Sequence, residues 1–324
     1  MKSIGDNLKY YRIKSGMSLT KAGSLISLSA PGLLKYEKNI VKPSLEKLAL
    51  LAKIYNTTLD ELLNVSENVA IKFNNLKVEN KLSETKTNNL KDLIQKKIDN
   101  YFDLLKKSDI KLTNKFGVHV INSEKEAESL ATKLRIFLQL PIDTPIYNLI
   151  HLLENNDIMV ITLEKNDTAN GFIGFYETIN NVPVIVVPRI NNGYEQRFKV
   201  AKFLGELLIV ANNEKEKDKY TTSFAQSLLI PNKALVREFG LSRKRNDFNE
   251  IIIFSKVFKV SYKNIIKRLE TLEIITASNA KYLNIDINKE NLSEQVFLEE
   301  ATNYDKMLYK CYALNIIEDL SGYL

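Results

Sequence analysis

The sequence predicts a mainly α-helical chain with one small β-sheet, an α+β architecture built in several parts. Three observations predict it. The first 66 residues hold short segments whose apolar residues recur at intervals of three and four, with serines at several starts. Residues 158–188 hold the β-rich segments Ile158-Met-Val-Ile, Gly171-Phe-Ile-Gly-Phe-Tyr and Val182-Pro-Val-Ile-Val-Val-Pro188, the last two joined at the turn-prone pair Asn180-Asn181. Helical repeats flank that region, from Leu90 to Leu105 before it and from Phe198 to Leu208 after it.

Composition sets the outer limits. At 324 residues and 44% hydrophobic, the chain is long enough for two or three domains with real cores. The expected divisions are 1–66, 67–124, 125–275 and 276–324. No apolar run reaches the length of a membrane span, and the amino terminus goes straight into charged residues, so a cytoplasmic protein without membrane contact is expected. Cys311, the one cysteine, makes no internal disulfide, and the absence of any Cys-x-x-Cys pair removes cysteine-based metal sites. A net charge of +7 and a pI near 9.1 fit a polyanionic partner.

Along the chain, Ile4 to Ile13 reads as an amphipathic helix with Ile4, Leu8 and Tyr11 inward, stopped near Ser15-Gly16. Ser18 caps a second helix through Ile26, in which Ala22 and Gly23 are small enough for a close helix crossing. After the tight link Ser27-Leu28, Ser29 caps a third helix through Lys38. Leu45 to Tyr55 and Thr58 to Leu63 complete a five-helix unit. This unit resembles the bacteriophage-repressor (XRE-type) helix-turn-helix domain, with Leu28-Ser29, Leu33, Tyr36-Glu37, Pro43-Ser44 and Leu59-Asp60-Glu61-Leu62-Leu63 all on pattern. Leu19 departs from it, since a glutamine often stands at that position.

The resemblance implies that the third helix enters the major groove of double-stranded DNA and meets base edges with its first turns. Those turns carry Ser29, Ala30, Pro31, Gly32 and Leu34, an unusually apolar set. Contact with thymine methyls should therefore outweigh hydrogen-bonded reading. Lys21, Lys35, Lys38 and Lys42 are the expected phosphate or base contacts.

Asn75 to Thr87 is polar and reads as a linker. After it Leu90, Leu93, Ile94, Ile98, Tyr101, Phe102 and Leu105 mark an amphipathic helix, suited either to packing on the following domain or to forming a homodimer. Further on, Glu128 to Leu153 reads as two helices broken at Pro141-Ile-Asp-Thr-Pro145. Then comes Arg197-Phe-Lys-Val-Ala-Lys-Phe-Leu-Gly-Glu-Leu-Leu, and after it Ser223-Phe-Ala-Gln-Ser-Leu-Leu-Ile-Pro, where a helix from Phe224 to Leu229 ends against Pro231.

In wording, spacing and element order, residues 125–275 resemble the ImmA/IrrE-type zinc peptidases, whose motif reads Arg-Phe-x-x-Ala-His-Glu-Leu-Gly-His-Leu-Leu. Laid on it, the two zinc histidines fall on Lys202 and Glu206, the general-base glutamate on Phe203 and the third ligand on Tyr220. A catalytic zinc needs three protein donors and a base for its water. None of those positions keeps its donor, so the resemblance implies a pseudo-peptidase with no metal, no cofactor and no catalytic residue. Lys202 and Glu206, four apart, are expected to pair across the old pocket. Gly171, Phe172, Ile173, Gly174, Phe175 and Tyr176 are expected to line the cleft that holds an extended peptide in active relatives.

Val260-Ser261 opens another helix, containing Lys263, Lys267 and Arg268. The family resemblance makes it a core element rather than a second helix-turn-helix. The tail carries Glu294, Glu299 and Glu300 before a helix from Tyr304 to Leu320. Together these readings predict a sequence-specific repressor of a phage or other mobile element, dimeric on its operator, with a peptidase-like part that senses an inducing protein or peptide. A DNA-binding antitoxin shares the first domain and stands as the alternative. A divergent repressor-cleaving metallopeptidase is disfavoured by the missing ligands.

Overall fold

The computed structural model describes residues 3–63, 70–78, 82–164, 171–190, 192–243, 247–290, 298–317, 320 and 322–323, with the backbone course alone for 286–290. Glu294 lies outside them, as do parts of the segment read as a linker and of the tail. The chain forms two compact units, Met1–Ala70 and Ile71–Leu324.

Unit 1 contains α1 (Ile4–Lys14), α2 (Leu19–Leu25), α3 (Ala30–Glu37), α4 (Leu45–Tyr55) and α5 (Leu59–Leu63). Ser3, Ser18, Ser29 and Ser44 cap the first four, each accepting from a backbone N–H three residues on. Such a cap contributes about 1 kcal/mol over alanine, which is how seven- and eight-residue helices start where the sequence places them. Leu8, Ala22, Ile26, Leu33, Leu48, Leu51 and Leu62 make the core. Gly5 and Gly23 stand where a side chain would collide: a Cβ would lie 2.5 Å from the Tyr36 and Glu37 carbonyls in one case and 2.7 Å from that of Leu28 in the other.

Unit 2 is built on a four-stranded sheet, β1 (Leu76–Val78), β3 (Met159–Leu163), β4 (Phe172–Ile179) and β5 (Val182–Pro188), in the order β1-β4-β5-β3. A two-stranded parallel pair, β2 (His119–Val120) with β6 (Ile209–Val210), lies apart from it. β5 pairs parallel with β3 and antiparallel with β4, and every one of its residues is buried. An unbroken apolar run such as Val182–Pro188 suits a strand covered on both faces. The helices are α6 (Glu84–Lys107), α7 (Glu124–Phe137), α8 (Leu149–Glu154), α9 (Gly193–Leu208), α10 (Glu214–Leu229), α11 (Asn232–Phe239), α12 (Phe248–Phe258), α13 (Tyr262–Thr271), α14 (Ala277–Glu290) and α15 (Asn303–Ala313).

Several expectations change here. The polar stretch 75–87 contains a strand and the start of a helix: Asn75 ends a 3-10 turn, β1 pairs with β4, and Ser83 caps α6. Leu90, Ile94, Ile98, Tyr101, Leu104 and Leu105 of α6 are buried within the single chain, so the apolar face that suited a dimer contact is already covered. α10 begins ten residues before Phe224, because Asn213 caps it and its first turns are polar. The tail helix stops at Ala313, and its inward face, Met307, Leu308 and Cys311, is buried. The tail is also bound to α6, by the Tyr101 and Tyr304 rings at 5.5 Å and by the Ser108 hydroxyl 3.0 Å from Cys311 Sγ.

One carboxylate ahead of α15, that of Glu299, reaches deep, whereas Glu300 stays exposed. The Arg197 guanidinium donates to Glu299 and to the Ile146 carbonyl, and the pair is shielded from solvent, with side chains 0% and 1% exposed. The second Glu299 oxygen accepts from the Ile150 N–H at 2.9 Å. Glu154 accepts the N–H groups of Thr302 and Asn303 at the start of α15, at 3.0–3.2 Å. Burial pushes the arginine's pKa down and Glu299 opposes it.

Candidate functional site

On α3 the helical repeat turns Leu33 and Glu37 inward. Ser29, Pro31, Lys35 and Lys38 are left exposed, and Ala30, Gly32 and Leu34 half-buried. The Ser29 hydroxyl is engaged with the helix, accepting from the Gly32 N–H at 3.2 Å. Lys21, in the first turn of α2, and Lys42, after α3, are exposed as well. Residues 1–70 carry ten lysines and arginines against six acidic side chains, so more than half of the net +7 lies in unit 1.

What fixes α3 is a clamp that sequence reading did not find. Arg12 Nε of α1 donates to Glu37 Oε1 at 2.6 Å, Nη2 donates to Oε2 at 3.1 Å, and Nη1 donates to the Met17 carbonyl at 2.8 Å. The pair is nearly closed off, at 12% and 2% side-chain exposure. A two-pronged arginine–carboxylate pair is directional as well as attractive, and it holds α3 against α1 at a set angle. The one signal in the sequence was a glutamate in the same inward register as Leu33, four residues on.

In unit 2 Lys202, Phe203 and Glu206 lie on α9 and Tyr220 on α10. Lys202 Nζ pairs with Asp218 of α10 at 2.6 Å, not with Glu206. Glu206 is buried and accepts from the Tyr176 hydroxyl at 2.9 Å and the Thr221 hydroxyl at 3.4 Å, with Lys217 Nζ at 3.1 Å. The expected Lys202–Glu206 pair is corrected on these contacts: α10 runs beside α9 and supplies closer partners to both. Tyr220 turns away and donates to the Asn122 carbonyl at 2.8 Å. Burial first, then the charge of Glu206, drives the Tyr176 phenol well above its ordinary pKa, so it stays a proton donor to that carboxylate. Among the described residues no group of three His, Cys, Asp or Glu side chains could hold a metal ion.

Phe203 lays its ring against β4. Its centroid is 5.4 Å from that of Tyr176, and a Cβ added to Gly174 would fall 2.2 Å from the Phe203 ring and 2.8 Å from the Val186 carbonyl. Gly174 also has a φ of +156°, which side chains rarely adopt. Gly174→Ala should therefore destabilise unit 2 by at least about 2 kcal/mol, in the range of an overpacked core. In Phe203→Leu the same glycine change should be milder. Denaturant melts of the two single variants and the double variant check this, and additive effects would refute the contact.

The edge of β4 that was expected to line a peptide cleft carries β1. Leu76 pairs with Phe175, Lys77 with Gly174 and Val78 with Phe172, antiparallel and with an irregularity between the last two. Lys77 Nζ lies 5.8 Å from the Tyr176 ring centre, Asn75 Nδ2 donates to Glu177 at 3.0 Å, and the Phe73 and Phe175 rings stand 5.4 Å apart. Gly171 and Phe172 through Tyr176 thus line an edge already occupied by the chain itself.

Residues 8–62 match the family model described as Helix-turn-helix, so unit 1 is a helix-turn-helix domain, the DNA-binding fold of transcription regulators. No curated protein matches the chain. Among solved structures, the apo form of ComR from S. thermophilus is 14% identical, with 98% of this chain and 97% of that chain covered and a TM-score of 0.18. The competence regulator ComR from Streptococcus vestibularis in complex with its signaling peptide XIP is 17% identical, with 99% and 95% covered and a TM-score of 0.18. At such TM-scores the likeness assigns neither fold nor ligand to this chain.

Proposed function

We propose that the chain is a sequence-specific DNA-binding transcription regulator that acts as a repressor of a mobile genetic element. The exposed side of α3 and its C-cap carry this reading: Pro31, Lys35 and Lys38 face solvent from a helix clamped through Glu37, on the more basic unit. The half-buried Ala30, Gly32 and Leu34 suit apolar contact with thymine methyls, and Lys21 and Lys42 suit phosphate contact. Domains of this kind read paired half-sites, so the operator-bound form is a dimer. Sequencing the DNA fragments that the full chain retains from its host genome tests the reading. A recurrent paired motif supports it, and retention without any sequence preference refutes it.

Unit 2 is proposed as a peptidase-like scaffold that senses a protein or peptide and performs no catalysis. The support is chemical. Phe203 has no proton-accepting group where the general base would stand, and the Glu206 oxygens are held by Tyr176, Thr221 and Lys217. Elemental analysis of the purified chain should find no stoichiometric zinc, and a chelator should leave its melting temperature unchanged. A stoichiometric transition metal would overturn this part of the proposal.

A further inference from the structure

We propose that β1 is a built-in competitor for the β4 edge, and that the partner is an extended peptide of apolar–basic–apolar sequence that displaces residues 73–78 and takes their place. The proposal rests on the sensing role given above to unit 2. β4 runs eight residues, whereas β1 spans three and pairs only at Phe172, Gly174 and Phe175. On that side the backbone from Tyr176 to Ile179 has no strand beside it among the described residues, and a longer strand could add hydrogen bonds there that β1 does not make. An irregularity after Lys77 further weakens the short ladder. Edge strands offer main-chain groups to any extended chain, and alternate side chains set the preference.

The side-chain pattern comes from the present occupant. Leu76 and Val78 flank Lys77, whose ammonium group lies over the Tyr176 ring, and the Tyr176 hydroxyl ends on Glu206. Glu177, on the same strand, holds Asn75. A partner with a lysine or arginine between two apolar residues would meet the same aromatic face and carboxylates. Release of β1 changes the covalent connection between the units. Leu63, the last residue of α5, lies 10 residues before Phe73 and 21 before Glu84, the start of α6. With 73–78 displaced, the added eleven residues of chain can span roughly 37 Å when extended, at about 3.4 Å each. The helix-turn-helix would then hang on a much longer tether.

The test uses the full chain and a fluorescent peptide copying residues 72–78. Because a tethered strand competes at an effective concentration of about millimolar, the peptide should bind at least 10-fold more tightly to a chain in which residues 73–78 are replaced by alternating glycine and serine. It should bind several-fold more tightly to Phe73→Ala/Asn75→Ala, a milder change that keeps the fold if the larger replacement does not. In the unaltered chain with excess peptide, hydrogen exchange should rise across 73–78 while 172–176 stays protected. Equal affinity for all chains refutes the proposal, as does peptide binding with unchanged or increased protection of 73–78, which means addition outside β1. No binding to any chain, with operator binding intact, removes the sensing role itself and the proposal with it.

Discussion

Replacing Glu299 by alanine should destabilise unit 2 by about 3–5 kcal/mol, the range expected when one member of a buried ion pair is removed and the other charge is stranded. Arg197 would keep its hydrogen bond to the Ile146 carbonyl and would lose its counter-charge in a region where its side chain has no exposure. The Ile150 N–H would lose its acceptor too. For a unit of this size, the change corresponds to a fall in melting temperature of about 6–20 °C. Glu299→Gln keeps one acceptor oxygen but sets an NH2 against the other donor, so it should recover only part of the loss. Calorimetry of the full chain, with the melt of unit 1 as internal reference, checks the difference. A variant melting within a degree of the parent would mean that the pair contributes nothing.

Operator affinity should fall by roughly 10⁴ between 50 and 200 mM salt if Lys21, Lys35, Lys38 and Lys42 of two subunits each displace one counter-ion. Eight phosphate contacts give a slope of about −7 in log affinity against log salt. Lys35→Ala together with Lys38→Ala removes four of the eight and should reduce the slope to between about −3 and −4. Fluorescence anisotropy with labelled operator at several salt concentrations measures both slopes. If the double variant keeps the parent's slope, Lys35 and Lys38 do not displace counter-ions from the operator. Arg12→Ala should weaken binding by a different route, because it frees the buried Glu37 and loosens α3 without removing a contact from the exposed face.

What could be read directly from the sequence was local. Serine caps and the repeat of apolar residues place α1 to α5 within a residue or two of where they lie, because a cap and a turn are decided by neighbours three or four residues away. The β-rich segments are found at β3, β4 and β5 for the same reason. The failures share another cause. Leu76-Lys77-Val78 is too short for its alternation to stand out between polar residues, and only the edge of β4, about a hundred residues later, makes it a strand. Lys202 and Glu206 have the right spacing for a helical pair, yet α10 brings Asp218 and Lys217 closer, and spacing along one helix carries no information about the next. Arg12 with Glu37 and Arg197 with Glu299 are joined only by the fold.

The separation of Arg197 from Glu299 also matters while the chain is being made. Synthesis adds about 5–20 residues per second, so the sequence separation of 102 takes roughly 5–20 s. During that interval α9 can assemble with the strands and helices around it, but its arginine has no carboxylate to enter the interior with. The core can therefore close fully only after Glu299 has been made. A message broken before the codon for Glu299 would yield a product that carries an intact helix-turn-helix and an interior that cannot settle. Such a chain, its arginine buried without a carboxylate or left outside the core, would be open to proteolysis.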